Sequence, residues 1–221
     1  MSFERFSQSI LVEHKQDKYL FDTGRGALVR LYQSKVLPNE IKNIFLTHLH
    51  SDHIIGFADI LMTGWVYHRE SPLQVYDPKG TRNFVDSTIK AYEKDISVRS
   101  QAPENLDMTG LQTNIEIIYD GFKYQNSGLT IEAFAVKHEP FAHAFGFKIY
   151  NGKYCVVISG DTTYSEKVIE KSKGCDLLIH EIAHASEHTL KKYPKAKGVI
   201  SYDTNVVEVS DIKNKTRPRL T

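Results

Sequence analysis

The residues able to do chemistry are concentrated in one stretch, Thr47-His48-Leu49-His50-Ser51-Asp52-His53, in which three imidazoles and a carboxylate share six positions. Both are ordinary ligand types for zinc, manganese and iron, and the order His-x-His-x-Asp-His is far denser than histidines scattered over a surface. The apolar run Ile44-Phe45-Leu46 directly before them predicts a buried strand, so the donors fall where a strand ends and a helix begins. On extended backbone the side chains repeat every second residue, which aims His48 and His50 the same way. Asp52 and His53 fall past the turn and can face a second ion. A loop mounted on a rigid strand is where ligand geometry can be held.

The elements that must position this loop are legible from periodicity. Residues 9–12 and 19–21 read as two strands joined by a polar turn, followed by Asp22-Thr23-Gly24. Ala27, Leu28, Leu31 and Tyr32 recur at helical spacing, and a helix is predicted from the Ile54-Ile55-Gly56 region to Trp65. Residues 73–76 read as a strand closed by the turn Asp77-Pro78-Lys79-Gly80. Thr81 is placed to cap a helix whose apolar face is Phe84, Val85, Thr88, Ile89 and Tyr92. Periodicity fades over residues 95–113, which reads as a long loop near the site.

The second half opens with short β runs at 115–119, 122–124 and 129–136. Residues 145–150 and 153–159 flank Asn151-Gly152, the pair favoured in a type I′ hairpin turn. A helix over 165–173 precedes a strand over 176–179, and another helix is predicted over 183–192. No repeat of 20 to 50 residues is visible.

At 221 residues the chain fits one large domain with a substantial core. Its 28 basic and 27 acidic residues leave a net charge of +1, which argues against a partner held mainly by a global basic field. Met1-Ser2-Phe3-Glu4-Arg5 lacks the apolar segment of a secretory leader, and no run approaches membrane-spanning length, so a cytoplasmic protein without a membrane partner is expected. Cys155 and Cys175 each sit in an apolar run outside any Cys-x-x-Cys pair, so both are expected to be small buried hydrophobes and not a disulfide.

The stretch at 47–53, with Asp22-Thr23-Gly24, Lys137-His138-Glu139-Pro140, Ser159-Gly160-Asp161-Thr162 and Leu178-Ile179-His180-Glu181, resembles the metallo-β-lactamase superfamily from about Phe21 to about Glu181. Met62 to Trp65, Val75 to Thr81, Ala91 to Asp95 and Ala144 to Phe147 are similar to the branch that contains tRNase Z and arylsulfatase-like hydrolases. The resemblance implies an α/β fold, an αββα sandwich of two mixed sheets flanked by helices. It implies that His48, His50 and His138 hold one metal ion, that Asp52 and His53 hold another, and that Asp161 bridges them. It gives Asp52 a catalytic role in orienting or deprotonating the attacking water. It also gives Asp22 a supporting place behind the ligands, where the local reading alone is a simple turn.

Three imidazoles around an open position are a catalytic zinc arrangement, so two zinc ions are expected, with manganese or iron as alternatives. Relatives with a di-iron centre usually carry Glu at the place of His50, so His50 favours hydrolysis. Two dications about 3.5–4 Å apart bring a shared water to hydroxide near neutral pH and polarise the substrate oxygen. The implied activity is hydrolysis of a phosphodiester or related small ester. No long Gly/Pro-rich arm of the kind that grips tRNA is visible, so nucleic acid is the less favoured substrate.

Two departures stand out. Asp203, in Tyr202-Asp203-Thr204, stands where the branch usually has a His that assists the leaving group. Arg217-Pro218-Arg219-Leu220-Thr221 resembles the start of the strand whose end supplies the last His ligand, so against the family pattern the last strand is expected to be missing and the chain to be short at both termini. His184 or His188, four apart on the predicted helix, are the only nearby substitutes. The alternative function is therefore a truncated or degenerate member that binds a ligand or partner without efficient turnover. Homodimers are common in the resembled family.

Overall fold

The computed structural model describes residues 6–220, so the readings made on residues 1–5 and on Thr221 lie outside the described residues. The chain divides into two units, one ending at Ile117 and the other beginning at Ile118, each built on one five-stranded sheet.

The first unit runs β1 (Ile10–His14), β2 (Asp17–Phe21), α1 (Ala27–Gln33), a 3-10 turn (Pro38–Glu40), β3 (Asn43–Phe45), α2 (Ser51–Ile54), α3 (Phe57–Val66) and β4 (Leu73–Asp77). It continues with α4 (Thr81–Ala91), α5 (Glu93–Arg99), a second 3-10 turn (Met108–Leu111) and β5 (Thr113–Ile117). The strands lie in the order β1-β2-β3-β4-β5, antiparallel only between β1 and β2. Side chains alternate between faces, so Leu20, Ile44, Leu73 and Val75 join Phe57, Ile60, Leu61 and Trp65 in one helix-covered core. On the other face the register Phe21–Phe45–Tyr76 builds an aromatic row with ring centroids 5.1 and 4.4 Å apart.

The helix expected to Trp65 is α3, and Gly56, whose N–H donates to Thr23 O and where a Cβ would sit 2.7 Å from Gly24 O, separates it from the short α2. Two local expectations are corrected here. Gly80, at φ 119°, holds the start of α4, and Thr81 instead donates its hydroxyl to Pro78 O. The stretch 95–113 is not one continuous loop. The end of α5 and a 3-10 turn occupy about half of it, an irregular connection covers 100–107, and Ile96, Leu106 and Leu111 anchor it at a spacing too irregular to register as a helical period.

The second unit contains β6 (Lys123–Asn126), β7 (Leu129–His138), β8 (Phe141–Tyr150), β9 (Cys155–Ile158), α6 (Glu166–Ser172), β10 (Leu177–Ile179), α7 (Glu187–Lys192), α8 (Ala196–Ile200) and α9 (Val206–Thr216). Its order is β10-β9-β8-β7-β6, parallel only between β9 and β10. Phe134, Val157 and Leu178 pack with Val168 and Ile169 of α6 and Ile212 of α9. Both sheets are thus mixed and flanked by helices, the fold class the resemblance implied. Leu220 makes a parallel bridge to Leu177, so the strand start expected there is present.

The hairpin turn is longer than expected. Four residues, 151–154, join β8 to β9, because the Asn151 side-chain oxygen accepts from the amides of Lys153 and Tyr154. The helix expected over 183–192 begins only at Glu187, capped by Ser186, since the Ala183 amide is drawn to Thr204 O. His184 therefore precedes the helix, and its shared face with His188 does not exist. Cys155 and Cys175 form a disulfide, against expectation, with Cα atoms 4.7 Å apart. Parallel pairing sets the first residue of β9 beside the approach to β10, where Asp176 N donates to Cys155 O, a proximity that 20 residues of sequence separation conceal.

Candidate metal-binding site

In the first unit the donors hang from the carboxyl end of β3, as expected. His48 is buried; its Nε2 lies 2.9 Å from Nδ1 of His50, and its ring centroid lies 4.2 Å from that of His53. Behind them Asp22, buried at the end of β2 with φ 58°, accepts from the Thr47 amide at 2.8 Å, the Thr47 hydroxyl at 2.9 Å and His53 Nδ1 at 2.7 Å. Since the Thr47 hydroxyl donates to Asp22, it accepts from His48 Nδ1 at 3.0 Å. These partners assign Nδ1 as the protonated nitrogen in both rings and leave each Nε2 as the donor atom. The supporting role of Asp22 is the one the resemblance implied, in place of a plain turn. Asp52 lies on the rim, its side chain 62% exposed and its carboxylate 3.9 Å from His53 Nε2.

In the second unit His138 closes β7 beyond a register shift after Val136 and is buried. Its Nδ1 donates to Tyr202 O at 3.1 Å and lies 3.5 Å from the Asp203 carboxylate. Asp161 follows β9 on a turn shaped by Gly160 at φ 63°. One donor atom each from His138, Asp161 and Asp203 lie within 4.8 Å of one another. His184 and His188 are both exposed and enter no such group among the described residues.

Sequence reasoning put Asp203 in the place of a proton donor and missed it as a member of this donor group. Its signal was present only as a carboxylate standing where imidazole was expected. The segment is held by Glu181, which accepts from the Thr204 amide at 2.6 Å, and by the Thr204 hydroxyl, which donates to Thr162 O at 2.6 Å. Burial above all, helped by the charges of Asp161 and Asp203, pushes the Glu181 carboxyl up to about 8 against the downward pull of Thr204.

Both donor sets fit a divalent metal. In the first unit two imidazole nitrogens sit at 2.9 Å with a hydrogen-bonded carboxylate fixing the tautomers behind them. In the second, two carboxylates converge on a buried imidazole, a clustering of negative charge that a cation relieves. Neither cysteine is available as a thiolate ligand, which leaves a nitrogen and oxygen donor set suited to zinc and also to manganese or iron.

Comparison with known proteins adds to this geometry. The sequence profile of the family described as "Anti-Pycsar protein Apyc1" matches residues 1–203. Ribonuclease Z of Mycobacterium bovis (strain BCG / Pasteur 1173P2) is 30% identical over 215 residues, spanning 96% of this chain and 76% of its own length. The short form of human tRNase Z superposes with a TM-score of 0.73 at 19% identity, over 97% of this chain and 84% of that one. The metallo-β-lactamase fold protein YhfI from Bacillus subtilis gives 0.71 at 18% identity, over 100% and 80%. At those identities the structural likeness speaks to the fold alone.

Proposed function

We propose that this chain, which belongs to the family of the anti-Pycsar protein Apyc1 and is a tRNase Z-like member of the metallo-β-lactamase hydrolases, is a zinc-dependent phosphodiesterase acting on a small ester. The observation that carries the reading is the preorganisation of the donors: His48 and His53 have their Nδ1 atoms committed to the Thr47–Asp22 pair, and His138 has its Nδ1 committed to Tyr202 O. Such partners raise ligand basicity and fix ring orientation, which a solvated surface histidine does not need.

In this reading His48, His50, Asp52 and His53 are metal donors of the first unit, and His138 and Asp161 are metal donors of the second. Two zinc ions would supply a water acidic enough to attack at neutral pH and a positive field on the departing oxygen. The chain's own residues do the rest. Asp22 and Thr47 hold the imidazoles, and Asp52, the exposed carboxylate at the rim, orients the attacking water and takes its proton. Glu181 fixes the segment carrying Asp203 against β10.

The relatives bear names that denote RNA cleavage. For this chain the small ester is favoured by the near balance of charge, +1 over 221 residues, which supplies no global attraction for a polyanion. The test is hydrolysis of bis-p-nitrophenyl phosphate by zinc-loaded protein, beside a precursor tRNA. Turnover of the small diester, lowered at least about a hundredfold in His50→Ala, is the expected result. Uptake of less than one ion per chain under zinc-replete conditions, or turnover unaffected by His50→Ala, overturns the proposal. Cleavage of the tRNA in place of the small diester moves the substrate to RNA.

A further inference from the structure

Within the second unit, residues 202–204 are tied down by four bonds. Tyr202 O accepts from His138 Nδ1 at 3.1 Å, and Thr204 O accepts from the Ala183 amide at 3.0 Å. The Thr204 amide donates to Glu181 and its hydroxyl to Thr162 O, each at 2.6 Å. Asp203 is thereby held on a segment whose position is dictated from both sides. It is held next to Asp161 and His138, with donor atoms of all three within 4.8 Å. Two carboxylates kept this close to each other repel unless a proton or a cation lies among them.

We infer that Asp203 is a direct ligand of the ion held by His138 and Asp161, an inference that rests on the metal-dependent reading above. Three observations favour direct ligation over a merely supporting role. The Nδ1 hydrogen of His138 already has an acceptor in Tyr202 O, and the 3.5 Å separation from Asp203 is longer than a good hydrogen bond. A ring nitrogen of His138, a carboxylate oxygen of Asp161 and one of Asp203 fall together in a single group of donor atoms. His184 and His188, the other residues that could add a donor late in the chain, are exposed and outside that group. A negatively charged oxygen at residue 203 adds a third donor beside His138 and Asp161.

The experiment is a titration of metal-free protein with Co²⁺, read by visible absorption and by calorimetry, on wild type, Asp203→Asn and Asp203→His. The amide keeps the shape of the side chain and removes its charge; the imidazole replaces one metal donor with another. The expected result is two ions bound by wild type, one of them at least tenfold weaker in Asp203→Asn with an altered absorption band, and recovery of that affinity in Asp203→His. Circular dichroism of the metal-free proteins checks folding, and Asp203→Ser replaces the amide variant if the amide disturbs the turn. Asp203→Asn and Asp203→Ser binding both ions with wild-type affinity and spectrum overturn the inference while leaving the proposed function standing. Wild-type protein that binds no ion overturns both.

Discussion

The carboxylate of Asp22 stands 2.7 Å from Nδ1 of His53 across 31 residues of sequence, and the same group accepts both the amide and the hydroxyl of Thr47. One buried side chain therefore sets the tautomer of His53 directly and that of His48 through Thr47. Asp22→Asn keeps the volume and the tolerance for φ 58° but replaces an acceptor oxygen with an N–H₂ donor. Zinc affinity is expected to fall about 10–100-fold, the usual effect of losing a supporting carboxylate behind a ligand histidine. Competition with a chromogenic chelator measures it, and an unchanged affinity would deny Asp22 this role.

Gly24 follows from the same corner. A Cβ there would run into Gln8 O and lie 2.6 Å from Asp52 O, both backbone atoms that cannot swing aside. Gly24→Ala is expected to cost about 1–3 kcal/mol by overpacking. It should also weaken metal binding, since the displaced backbone carries Asp52. Thermal melting of the metal-free protein separates the first effect from the second.

Much of this site was legible because its donors are adjacent in sequence. His48, His50, Asp52 and His53 announce themselves by spacing alone, and the strand before them by its apolar run. The place of Asp203 beside His138 and Asp161 was not legible, because it depends on Thr204 being tied to Glu181 and Thr162, contacts across 23 and 42 residues that no local pattern carries. The disulfide was missed for a related reason: only the parallel pairing of β9 with β10 sets Cys155 beside Cys175. The stretch 95–113 failed differently. Ile96 is the one buried side chain of α5, and Leu106 and Leu111 join the same core from outside the helix, so this region is held by tertiary packing more than by an amphipathic stripe.

Arg69 is the least expected buried charge. Its guanidinium donates to Gly110 O at 3.0 Å, Ile60 O at 2.8 Å and Pro38 O at 3.4 Å, joining α3 to both 3-10 turns, and burial pulls its pKa down to about 10. It still carries its charge at neutral pH. A lysine cannot span three carbonyls with one ammonium, so Arg69→Lys should lose about 2–4 kcal/mol of stability. Urea denaturation reads the loss, and metal content per folded chain should stay at the wild-type level.

Asp77 gives the first unit a specific response to pH. It ends β4 fully buried, and neither carboxyl oxygen has a hydrogen-bonding partner among the described residues. Burial lifts its pKa from 3.8 to about 7 against the opposing pull of the Thr81 side chain and the Arg82 charge. The folded chain therefore keeps this proton over a range in which the unfolded chain has released it. Stability from this group is fully present below about pH 4, drains away as pH rises through the interval, and is gone above about 7. Asp77→Asn cannot lose a proton, so its melting temperature relative to wild type should rise between pH 5 and pH 8. Other titrating groups are common to both proteins and cancel in the difference. A difference that is the same at both pH values would mean the Asp77 carboxyl is already ionised in the folded chain.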